Sequence, residues 1–151
     1  MPLALSISHG HSNEIPDFWD LAGPTLLHPE TAIELGSHPK DDSDTVWFLA
    51  TTEHSRTLLG FCAAKSVNRR VELRHDFVRP RYRRMGVYRT LLRFRNQWLE
   101  QERPAARHEI VTRNLWQIPY YQSLGFKVAT VRGSFTVLSR DRQTDLLTLD
   151  T

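Results

Sequence analysis

The chain of 151 residues is 40% apolar and 25% charged, so a single hydrophobic core can serve its length, and neither disorder nor a fibrous repeat fits its composition. Its longest apolar runs, Val46–Ala50 and Leu58–Ala64, are far shorter than the roughly 20 residues a membrane-spanning helix needs. The start, Met1-Pro2-Leu3-Ala4-Leu5, lacks the basic region and long apolar stretch of a signal peptide, so a cytoplasmic protein with no membrane partner is expected. The net charge of +3 conceals an asymmetry. Residues 1–55 carry nine acids (Glu14, Asp17, Asp20, Glu30, Glu34, Asp41, Asp42, Asp44 and Glu53) against Lys40 alone, whereas residues 69–95 carry ten arginines against Glu72 and Asp76. Arginine's planar fork of donors suits phosphate, so the second segment calls for a phosphorylated small molecule or a nucleic-acid backbone. Arg93 and Arg95 are expected on a solvated helix face.

In chain order, Asn13 to Leu21 reads as a short amphipathic helix opening near Ser12, with Ile15, Phe18, Trp19 and Leu21 apolar. A second helix covers Pro29 to Leu35 and ends at Gly36, before the polar loop His38 to Asp44. Thr45 to Thr51 and Thr57 to Val67 are apolar, β-branched runs flanking a short polar turn, which predicts a hairpin. Cys62, the only cysteine, lies in the second run and reads as a buried, inert thiol. Arg70 to Val78 is a third strand, closed by Pro80. From Gly86 to Gln101 the apolar residues Val87, Leu91, Phe94 and Trp98 recur at spacings of four, three and four, which places them on one helix face. A strand over His108 to Thr112, a short helix over Leu115 to Leu124 and a strand pair over Phe126 to Leu138 hinged near Gly133 complete the chain. Two helices, a meander, then strand, crossover helix and strand predict a mixed α/β sheet with helices on both faces.

The segment Val78-Arg79-Pro80-Arg81-Tyr82-Arg83-Arg84-Met85-Gly86-Val87-Tyr88-Arg89-Thr90-Leu91-Leu92 resembles motif A of the GNAT family of N-acetyltransferases, V-x-P-x-Y-R-x-x-G-x-G/A-x-x-L-L. Downstream, Asn114 and, seven positions on, Tyr121 followed by Gly125-Phe126 resemble the same family's motif B. The resemblance implies a single GNAT-like domain over residues 1–151, with a mixed, mostly antiparallel sheet whose central strand pair splays. It also implies acetyl-coenzyme A as cosubstrate, held by Phe77, Val78, Arg81, Arg83, Arg84, Met85, Gly86, Val87, Tyr88 and Asn114. Physical chemistry supports the loop independently. A helix N-terminus offers unpaired N–H groups and the positive end of the dipole to a diphosphate, Gly86 permits close backbone approach, and Arg81, Arg83 and Arg84 add charge. Tyr88 departs from the family's Gly or Ala, so its side chain either points away along the helix or alters how the cofactor sits.

An amine acceptor has a pKa of about 10 and must lose a proton before it attacks a thioester. By resemblance, Glu72 falls where the histone-acetylating branch of the family carries its glutamate base. Strand alternation puts Glu72, Arg74 and Asp76 on one side and Leu73, His75 and Phe77 on the other, so Glu72 and Asp76 are the candidate catalytic carboxylates. A salt bridge among Glu72, Arg74 and Asp76 is the competing reading, and His75 is expected to be a packed histidine. The resemblance further implies an oxyanion-stabilising N–H near Phe77 or Val78, and Tyr121 as proton donor to the leaving thiolate, with Tyr120 in the core. An acidic N-terminal wall suits a polyamine, an amino sugar or a peptide amine. The pair His9 and His11 has no spacing that makes a metal site, so no metal is expected.

Three functions compete at this stage. The first is acetyl-coenzyme-A-dependent transfer to a primary amine in a ternary complex. The second is a nucleic-acid-associated protein of the same fold, gripping phosphates with the arginines of residues 69–95 and either modifying a base or only binding. The third is an acyl-coenzyme A module that binds without turnover. A homodimer is compatible with each.

Overall fold

The structure, a computed structural model, describes residues 3–141. Its elements are β1 (Leu5–Gly10), α1 (Phe18–Leu26), α2 (Pro29–Leu35), β2 (Thr45–Thr52), β3 (Leu58–Val67), β4 (Arg70–Val78), α3 (Val87–Glu102), β5 (Arg107–Thr112), α4 (Ile118–Ser123), β6 (Lys127–Arg132) and β7 (Phe135–Arg140). Short 3-10 turns at Pro80–Tyr82 and Leu115–Gln117 precede α3 and α4. The seven strands form a mixed sheet in the order β1-β2-β3-β4-β5-β7-β6, the mixed α/β fold expected of the sequence.

The chain divides into two compact units. Among the described residues, the first comprises residues 3–64 and 75–95, the second residues 65–74 and 96–141. In the first, β1 runs antiparallel to β2, pairing Leu5 with Thr52 and Gly10 with Trp47. Side chains alternate across β2, so consecutive residues serve opposite faces. Trp47 packs against Phe18 of α1, while Phe48 meets Phe94 of α3, which sets the two helices on opposite faces. On the α1 face Phe18, Ala22 and Leu26 join Trp47, Leu49, Leu58, Phe61, Ala63 and Phe77 in one apolar cluster. Helix α2 begins with Pro29 behind His28, whose Nδ1 accepts the Glu30 N–H at 3.1 Å and caps the first turn.

In the second unit β4 runs parallel to β5 over Arg70–Leu73 and Arg107–Ile110, after which β5 pairs with antiparallel β7, and β7 with β6. Arg140, at the end of β7, gathers the unit's polar groups. Its guanidinium donates to Asn96 Oδ1 at 2.7 Å, to the Leu124 carbonyl at 2.8 Å and to His108 Nδ1 at 2.8 Å, and it lies over the Phe126 ring. The other ring nitrogen of His108 faces the Arg103 carbonyl at 2.8 Å. A carbonyl only accepts and a guanidinium only donates, so Nε2 carries the proton and Nδ1 is the acceptor.

Several expectations need correction. Leu5–Gly10 is a strand that the hydrophobic pattern did not predict, and the first helix runs over Phe18–Leu26 rather than Asn13 to Leu21. Ile15 is buried but lies in the turn before α1, so the apolar spacing at 15 and 18 reports burial and not helix. The inward stripe of α3 is Val87, Leu91, Leu92, Arg95 and Leu99, whereas Phe94 and Trp98 are only half-buried. Arg95 is 1% exposed and is no solvated arginine. It stands four residues after Leu91 and eight after Val87, which is the buried face of the helix.

Candidate active site

The cofactor-loop residues fall in the first unit, on the stretch that leaves β4 and enters α3. Arg79 fixes the exit from the strand: its backbone N–H donates to the Leu59 carbonyl at 2.9 Å and its guanidinium to the Leu58 carbonyl at 2.9 Å. Pro80 opens a 3-10 turn, closed by Tyr82 N–H on the Arg79 carbonyl. Arg83 then turns back. Its Nε donates to the Val78 carbonyl at 2.8 Å, its terminal nitrogen pairs with Glu34 of α2 at 2.8 Å, and its guanidinium lies over the Phe77 ring. Arg84 and Gly86 both have positive φ, 64° and 84°, which bends the loop onto the helix. Gly86 accepts from Thr90 through both its N–H and its hydroxyl, so α3 begins immediately after it.

This loop fits a diphosphate. Nothing lies within 4 Å of the position a Cβ on Gly86 would occupy, so the backbone is open to a ligand there. The first N–H groups of α3 have no partner inside the helix. Arg81, Arg84, Met85 and Gly86 are exposed, while Val87 is buried at 1% and packs the helix onto the core. Tyr88 points down toward the strand: its hydroxyl donates to Asp76 Oδ2 at 2.8 Å. That resolves the departure at position 88 in favour of a side chain directed away from the loop.

Strand β4 is irregular near its end. His75 takes a left-handed φ of 60°, which no sequence pattern foretold, and beyond it Phe77 and Val78 are both buried. The His75 ring stacks on Trp47 with centroids 5.5 Å apart, so it is a packed histidine as expected. Asp76 forms a buried ion pair with Arg95, at 2.7 Å to Oδ1 and 3.3 Å to Oδ2, with side chains 3% and 1% exposed. Glu72 lies in the second unit with other partners, Arg70 at 2.9 Å and Arg74. The salt bridge anticipated among Glu72, Arg74 and Asp76 therefore exists only for its first two members. Burial raises the Glu72 pKa, but the hydrogen bonds from Arg70 and Arg74 outweigh it and hold the carboxyl below its ordinary value.

Also in the second unit, Asn114 caps the 3-10 turn at Leu115–Gln117. Its N–H donates to Thr112 Oγ1 at 3.0 Å and its carbonyl accepts from Gln117 N–H at 2.9 Å. Tyr121 is fully buried, its ring edge-on to Phe126 with centroids 5.4 Å apart, whereas Tyr120 is half-buried against Trp116. Tyr120, expected in the core, is thus the less buried of the two, and Tyr121 is the one that lies in the core. Cys62 is fully buried as expected, and burial pushes its thiol up to about 12.

Sequence reasoning passed over Gly60 and misplaced Arg95. An ideal Cβ on Gly60 would come within 2.6 Å of the Phe77 carbonyl oxygen, so only glycine allows β3 to lie this close to β4. The signal for Arg95 was present in its four-residue spacing from Leu91 and was overridden by residue type.

Solved structures of known proteins resemble this chain in fold. No curated protein matches the chain by sequence. Among solved structures, Escherichia coli ElaA superposes with a TM-score of 0.71 at 14% identity, over 91% of this chain and 99% of that one. The ribosomal-protein-S18-alanine N-acetyltransferase of Escherichia coli gives 0.63 at 21% identity, over 89% and 92% of the two chains. The PaiA N-acetyltransferase of Thermoplasma acidophilum, solved in complex with coenzyme A, gives 0.60 at 15% identity, over 92% and 99%. At these identities the likeness shows the fold. The pattern of the acetyltransferase (GNAT) family matches residues 14–126, and the chain belongs to that family, whose members carry out acyl-coenzyme-A-dependent acyl transfer.

Proposed function

We propose that this protein is an acetyl-coenzyme-A-dependent N-acetyltransferase that acetylates a primary amine by direct transfer in a ternary complex. The observation that carries this reading is the loop from Arg83 to Tyr88, where an open glycine and exposed arginines precede the N-terminus of a sixteen-residue helix. A coenzyme A diphosphate suits that loop in charge and in backbone access.

In the reaction the amine nitrogen attacks the thioester carbonyl carbon. The C–N bond forms, the C–S bond breaks, the amine loses a proton and the departing thiolate gains one. We assign the amine's proton to Glu72 through water. With its pKa held down by Arg70 and Arg74, Glu72 stays ionised across the neutral range, and a relay suits it better than strong direct basicity. Tyr121 is assigned as donor to the thiolate. A backbone N–H near Phe77 or Val78 faces the developing oxyanion, and Asn114 belongs to the cofactor side. The acidic content of residues 1–55 favours a cationic acceptor such as a polyamine, an amino sugar or a peptide amine.

Binding without turnover is the second reading, and it draws on the two arginines that bracket Glu72 and on the complete burial of Tyr121. Gripping of nucleic acid draws less support, because Arg70, Arg74, Arg79, Arg83 and Arg95 already have partners within the fold. The deciding experiment is a panel of primary amines with acetyl-coenzyme A, scored by free thiol release. Acceptor-dependent thiol supports transfer. Saturable binding with no thiol from any amine supports the second reading.

A further inference from the structure

We infer that Asp76 is a positioning residue: with Arg95 it fastens Tyr88, and so the first turn of α3, to the strand segment that also anchors Arg83, which pre-shapes the loop between the two anchors for a diphosphate. The inference rests on the acyl-coenzyme A reading above and explains why this chain carries tyrosine where the family has a small residue.

Four contacts support it, all within the first unit. Tyr88 is the second residue of α3, and its hydroxyl donates to Asp76 Oδ2 at 2.8 Å. Arg95, seven residues and about two turns further on, lies on the same side of the helix and donates to both oxygens of that carboxylate, and to the Ala63 carbonyl at 3.1 Å. Two attachment points on one helix that converge on one carboxylate fix both its distance from the strand and its rotation about its own axis. The charge-assisted bonds are sheltered, since the side chains of Asp76 and Arg95 are 3% and 1% exposed. At the other end of the loop, Arg83 Nε holds the Val78 carbonyl at 2.8 Å. The exposed bridge Arg84-Met85-Gly86, with positive φ at its first and last residues, is thus tied at both ends to Asp76–Val78.

A loop held in its bound shape loses less freedom when a ligand arrives, so the anchors appear in affinity and not only in stability. A filler tyrosine would appear in stability alone. Tyr88→Phe deletes the hydroxyl and keeps the ring, and Tyr88→Ala installs a residue of the family's kind. Acetyl-coenzyme A titrations are run by calorimetry on the full chain, at a temperature at which wild type and both variants are folded by circular dichroism. The expected result is a Kd weakened about 10-fold by Tyr88→Phe and at least as much by Tyr88→Ala, the loss falling on KM for acetyl-coenzyme A more than on kcat. Affinities equal to or tighter than wild type in both variants, with a lowered melting temperature or without one, would overturn the inference while leaving the functional reading standing. If wild type itself does not bind acetyl-coenzyme A, the functional reading fails and the inference fails with it.

Discussion

Gly60 and Phe77 stand so close across β3 and β4 that an ideal Cβ on Gly60 would come within 2.6 Å of the Phe77 carbonyl oxygen and 3.0 Å of the Val78 Cα. Both obstacles are backbone, so a larger residue must push the strand instead of rotating a side chain aside. Gly60→Ala is expected to destabilise the protein by about 1–3 kcal/mol. Because Asp76–Val78 also anchors the loop, it should weaken acetyl-coenzyme A binding as well. Urea denaturation and a ligand titration on the same preparation check both effects, and a fully stable Gly60→Ala would show that the strands are not so close.

Glu72 provides a pH signature. Its folded pKa lies below the ordinary 4.5, so its ion pairs contribute stability that is present above that value and lost as the pH falls through the lowered one. Glu72→Gln should lower the melting temperature at pH 7, and the gap to wild type should close as the pH drops below about 4.5. If Glu72 also receives the amine's proton, kcat falls in the variant, and the wild-type acid limb set by this group lies below pH 4.5. A constant gap in melting temperature down to pH 3 contradicts the ion-pair account.

His108 titrates in the opposite chemical sense with the same direction of effect. Burial, joined by the nearby Arg140 charge, lowers its pKa below 6.5 despite the hydrogen bond to the Arg103 carbonyl. The unfolded chain therefore takes up a proton that the folded one refuses, and stability falls as the pH drops from about 6.5 toward the lowered value. Melting temperatures between pH 7.5 and 5 should decline in wild type and decline less in His108→Gln, which keeps an acceptor for Arg140 without the titrating ring. Parallel slopes would exclude His108 as the source.

Tyr121 and Tyr120 separate chemistry from packing. Tyr121→Phe should reduce kcat on the order of 10²-fold if the hydroxyl protonates the thiolate, while its ring contact with Phe126 preserves the fold. Tyr120→Phe, half-buried against Trp116, should leave kcat near wild type. Equal turnover in wild type and Tyr121→Phe, with chemistry rate-limiting, transfers the proton to water.

The sequence made β2, β3 and β4 legible because their apolar, β-branched runs and flanking polar turns report burial directly, and it made the loop legible because Arg83, Gly86 and the following helix stripe coincide. It did not reveal β1, since Leu5-Ser6-Ile7-Ser8-His9-Gly10 carries only two aliphatic residues and gains its place by pairing with β2. Arg95 was misread because residue type outweighed its position on the buried stripe, and its partner Asp76 is distant in sequence. The left-handed conformation at His75 belongs to the backbone and leaves no trace in residue spacing.

The central claim is that the Arg83–Tyr88 loop binds acetyl-coenzyme A, and the most direct test is the melting temperature of wild type and Gly86→Asp with and without millimolar ligand. Gly86 has a φ of 84° with nothing within 4 Å of the added Cβ, so an aspartate meets backbone strain but no steric clash, and it brings a negative charge to the place proposed for a diphosphate. At about 100 times Kd, wild type should rise by roughly 5–10 °C, and Gly86→Asp should melt as a folded protein with no rise. A wild-type melting temperature indifferent to the ligand, or an equal rise in Gly86→Asp, would contradict the claim.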